Sequence, residues 1–185
     1  MARLIPIVFR PHEAGSVLAE AELCAAALDG DLYRIGPAYA PTDLPPLSAA
    51  RAAAFGAGLP DRAALDLDTA AWVHGTRRHP PPVPTACIDA QRRARPHRLS
   101  AHRIREVTRF EEGTRELGGV LVTTPLRTAL DLLRFAGMEE PSRRASVRLL
   151  VGLAGGAGAV REALAGSARL PFKERARARL DRLCA

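Results

Sequence analysis

The chain has 185 residues, enough for one domain, or one domain with a small appendage, and a real hydrophobic core. Hydrophobic content of 47% and charged content of 25% are ordinary for a globular chain, and no apolar run reaches the about 18 residues of a membrane span. Of 27 basic residues only Lys173 is a lysine, and the formal charge of +7 favours a polyanionic partner. The arginine excess reads as GC-rich coding bias first and as an arginine-based binding surface second.

Residues 1–11 (MARLIPIVFRP) read as a short strand or extended arm closed by Pro11. Ser16 to Leu28 has helical spacing, with Ser16 as N-cap and Leu18, Leu23 and Ala27 on the inner face. Asp29-Gly30 ends that helix. Leu32 to Ile35 alternates like a strand, Gly36-Pro37 turns, and Ala38 to Ala40 pairs back. A helix, a glycine turn and a two-stranded ribbon match the tail of a winged helix-turn-helix. Pro41, Pro45 and Pro46 mark a linker.

Beyond the linker, a helix is expected over 48–59, a strand over 63–67, and a short helix from Asp68 to His74 stopped by Gly75. HPPPVP at 79–84 is a rigid proline loop. Strands are expected over 85–90, 103–107 and 119–122. Thr124 then caps a helix from Pro125 to Phe135, where proline at the first position loses no hydrogen bond. Ser142–Leu153 is a further helix, GGAG at 155–158 breaks the chain, and helical pieces follow near 159–165 and 171–183. The expected class is α+β: a reduced winged-helix-like element at 1–44, then a small mixed sheet flanked by helices at 45–185.

The sequence offers little for catalysis. There is no G-x-S-x-G, and Cys24, Cys87 and Cys184 are odd in number and lack CxxC spacing. They read as reduced thiols, which supports neither a disulfide framework nor a zinc site. GLAGGAG at 152–158 lacks the Gly-Lys-Ser/Thr ending of a P-loop. His74 is expected to cap its helix or pack beside Trp72. His97 and His102 lie in a positive segment that opposes a cation, and they read as solvated surface open to phosphate contact. No carboxylate cluster with a neighbouring lysine suggests a metal-dependent nuclease. No catalytic residue, metal or cofactor is expected.

Binding remains. Arg92 to Arg115 is the basic centre of gravity, joined by Arg77 and Arg78. Strand alternation cannot hide so many arginines, so they form either a phosphate-contacting patch or a basic surface neutralised by Glu106, Glu111, Glu112 and Glu116. The helix at 125–135 poses a separate question, because Arg127 and Asp131 stand one turn apart in an otherwise apolar pattern. An i, i+4 ion pair that orients the helix is the expected answer.

TAAWVHG at 69–75 and VTTPLRTALDLLRF at 122–135 resemble the AbiEi family of bacterial antitoxins of type IV toxin–antitoxin systems. DLYRIGPAYAP at 31–41 resembles the wing that precedes this domain in the family. The resemblance implies a winged helix-turn-helix followed by an α+β antitoxin domain. It also implies repression of the protein's own promoter, and neutralisation of a nucleotidyltransferase-like toxin without a stable complex. The candidate recognition helix, AELCAAAL, carries no arginine, lysine, asparagine or glutamine to read base edges. DNA contacts are therefore expected from Arg34 on the wing and from Arg92, Arg93, Arg95, Arg98, Arg103 and Arg105. The alternative is a protein–protein module that has lost its DNA-reading helix. The expected compartment is the cytoplasm, with no membrane partner.

Overall fold

The computed structural model describes residues 7–11, 18–91, 102–108, 112–166 and 170–184, which form an α+β fold. Helix α1 spans Glu20–Asp29. It begins later than a Ser16 cap would place it: Ala19 holds the cap position, and its N–H donates to the Glu22 carboxylate at 2.6 Å. That bond is half of a capping box, so no hydroxyl is needed there. Ser16 itself lies outside the described residues. Gly30, at φ 87°, ends the helix in the left-handed conformation. Strands β1 (Leu32–Ile35) and β2 (Ala38–Pro41) then pair antiparallel, with Arg34 opposite Tyr39. Phe9 bridges to Tyr39, and Leu23, Leu32 and Tyr39 form a small core with Leu18 and Ala27 packed on it.

The hairpin is packed into the rest of the chain. Ile35, Ala38 and Ala40 share one core with Phe55, Trp72 and Val122, so packing is continuous across the expected boundary at 44/45. Helix α2 is Ser48–Ala54, shorter than the spacing suggested. Phe55 closes it and turns its ring into the core against Trp72, with centroids 5.3 Å apart. The two glycines beyond it, Gly56 and Gly58, favour a turn over another helical turn.

The main sheet has the order β5-β4-β3-β7-β6. Its strands are β3 (Ala64–Leu65), β4 (Thr85–Asp89), β5 (Arg103–Val107), β6 (Thr114–Leu117) and β7 (Val120–Thr123). β3 runs antiparallel to β4 and parallel to β7, β4 and β5 are parallel, and β6 and β7 form a hairpin. The sheet is therefore mixed. Strand β6 has no counterpart among the expected elements. It is an edge strand that exposes Arg115 and Glu116, so it carries no apolar alternation.

Helix α3 (Leu67–Val73) turns Trp72 toward the sheet and Ala71 toward a second core. That core is built by α4 (Pro125–Phe135), α5 (Pro141–Leu153), α6 (Ala157–Gly166) and α7 (Lys173–Cys184). Leu132, Leu133, Val147, Leu150, Leu164 and Leu180 fill it. Thr124 caps α4 as expected, its hydroxyl accepting from the Arg127 N–H at 3.4 Å, with Pro125 first in the helix. Gly155 and Gly156, at φ 94° and 92°, break the chain between α5 and α6.

Candidate functional site

The site forms where β5 meets α4. On α4, Arg127, Asp131 and Arg134 recur at i, i+4 and i+7, which puts them on one stripe, and Phe135 follows at i+8. On β5, period-two alternation turns Arg103 and Arg105 to the same face, Arg103 exposed and Arg105 half-buried. Asp66 sits between β3 and α3. It holds the N-cap position of α3 but makes no side-chain capping bond.

Its carboxylate goes to Arg105 instead, whose Nε donates to Asp66 Oδ2 at 2.7 Å. The same guanidinium donates through Nη2 to Asp131 Oδ2 at 3.0 Å. Asp131 also accepts from Arg127 Nε at 3.1 Å and from Arg134 Nη1 at 3.1 Å. The expected i, i+4 pair is therefore one arm of a five-member network. Asp131 is 1% exposed and Asp66 is fully buried, so both charges depend on these guanidinium groups.

The electrostatics follow from burial. Desolvation pushes the Asp66 carboxyl above the usual range, against the pull of Arg105, and its Oδ1 meets no hydrogen-bond partner among the described residues. Burial pulls against the Arg105 charge, but Asp66 and Asp131 outweigh it and hold the guanidinium above its usual value. Burial, with Asp66 nearby, pushes the Cys87 thiol up, so that sulfur is not an activated nucleophile.

A cleft of about 450 Å³ opens beside the network. Arg105, Arg127, Asp131, Arg134 and Phe135 line it, together with Glu106, Glu112, Leu126, Leu130 and Leu170. Its volume falls within the roughly 300–1,000 Å³ usual for small-molecule sites. Among the described residues no group of three or more His, Cys, Asp or Glu side chains is placed to hold a metal ion.

The expected phosphate contacts separate into three groups. Arg34 is exposed on β1, its Nε 3.4 Å from the Gly36 carbonyl. Arg103 is exposed at the start of edge strand β5 and makes no ion pair among the described residues. Arg105 faces inward, engaged by two carboxylates. Arg92, Arg93, Arg95 and Arg98, with His97, lie outside the described residues. Arg77 is drawn to Asp68 at 2.8 Å, and Arg143 reaches the same carboxylate at 2.8 Å, tying α3 to α5. Arg78 stays exposed.

His102 corrects the expectation of a solvated side chain. It is buried, its Nε2 is 3.1 Å from the Phe55 carbonyl, and its ring meets Phe55 edge-on. His74 closes α3 as expected, and its Nε2 lies 2.7 Å from the Thr123 carbonyl. Sequence reasoning missed Asp66. The signal available was an acid at the junction of a strand and a helix, which reads as an ordinary N-cap.

No protein-family model matches the chain, and none of the curated proteins matches it. Among the described residues no single helix is long and apolar enough to cross a membrane.

Proposed function

We propose that the chain is a non-catalytic, cytoplasmic regulator of the AbiEi antitoxin kind. It binds double-stranded DNA, its own promoter first, through arginine contacts to phosphate, and counters a nucleotidyltransferase-like toxin without a stable complex. One observation carries this reading: the division of labour among the arginines. Arg10, Arg51, Arg144, Arg148 and Arg179 cap backbone carbonyls, while Arg77, Arg105, Arg127, Arg134 and Arg143 serve buried or half-buried carboxylates. Arg34 and Arg103 are among the arginines that stay outward, with Arg62, Arg78, Arg115 and Arg175, and Arg103 follows directly on the arginine-rich connection between β4 and β5. Exposed arginines of this kind supply sequence-independent affinity for a phosphate backbone.

The test is a titration of the protein's promoter duplex across salt concentrations. Affinity is expected to fall steeply with salt, with a logarithmic slope of about 0.9 for each phosphate neutralised. Replacing Arg92, Arg93, Arg95 and Arg98 with alanine should flatten that slope. Affinity that ignores salt, or no duplex binding, overturns the reading.

A second reading is favoured by α1. Its outward residues Glu20, Ala21, Glu22, Cys24, Ala25 and Leu28 are acidic or apolar, and Leu28 is 89% exposed. Such a face repels a phosphate backbone and suits a protein partner. Loss of toxin neutralisation in Leu28→Glu, with duplex binding intact, selects this reading for the N-terminal element.

A further inference from the structure

Five arginines of the C-terminal helices have no carboxylate partner among the described residues: Arg144 and Arg148 on α5, and Arg175, Arg179 and Arg182 on α7. Arg144 and Arg148 stand at i and i+4. Arg175, Arg179 and Arg182 stand at i, i+4 and i+7, so each set forms one stripe. The acids of α7 keep off that stripe. Glu174 and Asp181 lie about 100° round the helix from Arg175 and Arg182. There Glu174 meets Arg177, and Asp181 meets Arg161 of α6.

Contacts bring the two stripes together. Arg179 Nη1 donates to the Leu133 and Ala136 carbonyls at the end of α4, both at 2.8 Å. Arg144 Nη1 donates to the Met138 and Glu139 carbonyls just beyond, both at 2.7 Å. Arg148 Nε donates to the Leu183 carbonyl at 2.8 Å, one turn past Arg179 on α7. The stripes therefore flank one seam between α5 and α7. Glu139 and Glu140 stand at its end, within the field of Arg143.

Capping uses only part of these side chains. A guanidinium has five N–H donors. Arg144, Arg148 and Arg179 each give one nitrogen to carbonyls, which carry no net charge to neutralise them. Arg175 is placed differently, its guanidinium 4.6 Å from the Phe172 ring centroid. Four of the five charges are thus held in position yet uncompensated, so less side-chain freedom is lost when a ligand arrives.

What the seam lacks selects its partner. A specific protein interface needs an apolar or aromatic centre. Leu149 and Leu153, the exposed leucines of α5, lie about 100–140° round the helix from Arg148. One face of Phe172 is taken by Arg175. The seam offers instead repeated guanidinium forks, which match phosphate oxygens two at a time. Arg175 to Arg182 extends about 10 Å along α7, which matches the rise of about three phosphates on one duplex strand.

We propose that the seam between α5 and α7 is a second phosphate-contacting surface for double-stranded DNA, separate from Arg34 on β1 and Arg103 on β5. It rests on the duplex-binding reading for the identity of the partner, and adds a surface that reading does not assign.

The experiment measures the affinity of the full chain for its promoter duplex across salt concentrations. Wild type is compared with three double variants: Arg175→Ala with Arg182→Ala, Arg175→Lys with Arg182→Lys, and Arg34→Ala with Arg103→Ala. Neither Arg175 nor Arg182 makes a hydrogen bond among the described residues, so their alanine pair should melt as wild type does. That pair should bind the duplex about tenfold more weakly at low salt and reduce the logarithmic salt slope by about 1.8. The lysine pair should keep most of the slope. The Arg34 and Arg103 pair should lose its own share and leave that of the seam in place. A wild-type slope in the Arg175 and Arg182 alanine pair overturns the proposal and leaves the duplex reading standing. Failure of the wild type to bind duplex overturns both. Polyglutamate that displaces the duplex as well as unlabelled duplex does would make the seam a surface for an acidic protein, and overturns the proposal too.

Discussion

Arg105 on β5 donates to Asp131 on α4 across 3.0 Å, joining residues 26 apart in sequence. The contact fastens the edge of the sheet to the helix that carries the Arg127–Asp131 pair. Asp131 is the hub, since three guanidinium groups converge on a carboxylate with almost no solvent of its own. Removing a partner from such a buried pair leaves charges without compensation, at a cost of about 3–5 kcal/mol. Asp131→Ala should lose stability in that range in urea denaturation. Arg127→Ala should lose much less, because Arg127 keeps 17% exposure and Asp131 retains two partners. Equal losses in the two variants would show that the hub has been misplaced.

Arg103 and Arg105 are two residues apart on one strand face, yet they should behave as different kinds of residue. Arg105→Ala leaves Asp66 buried without its ion-pair partner and should lower the thermal midpoint strongly. Arg103→Ala removes an exposed charge and should leave stability within about 0.5 kcal/mol of wild type. It should weaken duplex binding uniformly across sequences and reduce the salt slope by about one contact. Unchanged duplex binding in Arg103→Ala would remove the β5 edge from the interface.

Much of this division could be read in the sequence, and the rest could not, for a physical reason. The 125–135 helix was legible because its cap, its first-turn proline and its apolar stripe are all local. The helix break at Gly155-Gly156 was legible for the same reason. The duty of Arg105 was not, because its partners come from the β3–α3 junction and from α4, and only tertiary structure brings them together. His102 misled in the same way, since its burial depends on Phe55, 47 residues away. Strand β6 was hidden by its own exposure, because an edge strand with a charged face has no periodic signal.

The two described histidines with carbonyl contacts set a pH dependence. Burial lowers the pKa of His74 and of His102 below the usual imidazole value, against the smaller effect of the carbonyl each ring meets. In the unfolded chain both titrate near ~6.5. Above that value their contribution to stability is fully present. As pH falls below it, the unfolded state takes up protons that the native state resists, so stability declines toward the depressed native values. The urea midpoint of wild type should therefore fall between about pH 7.5 and 5.5 more than that of His102→Gln. The glutamine removes the titration while keeping an N–H donor for the Phe55 carbonyl. Parallel pH profiles would mean that His102 does not contribute to the slope.

The turn between β6 and β7 provides a purely steric prediction. Gly118 and Gly119 have φ of 55° and 80°, the left-handed pair that a tight hairpin requires. Their surroundings differ. A Cβ on Gly119 would meet open space, so Gly119→Ala should cost only the backbone strain, about 1–2 kcal/mol. A Cβ on Gly118 would collide with the Ala49 carbonyl oxygen and lie 3.0 Å from its carbon, so the turn would have to lift from α2. Because α2 shares its core with Phe55, Trp72 and Val120, that shift would disturb packing well beyond the turn. Gly118→Ala should therefore cost about 3 kcal/mol or more, measured as the difference in urea midpoint between the two alanine variants. Matching midpoints would mean that β6 and β7 do not rest on α2 in solution, and that the sheet edge beside the cleft is less firmly held than this packing requires.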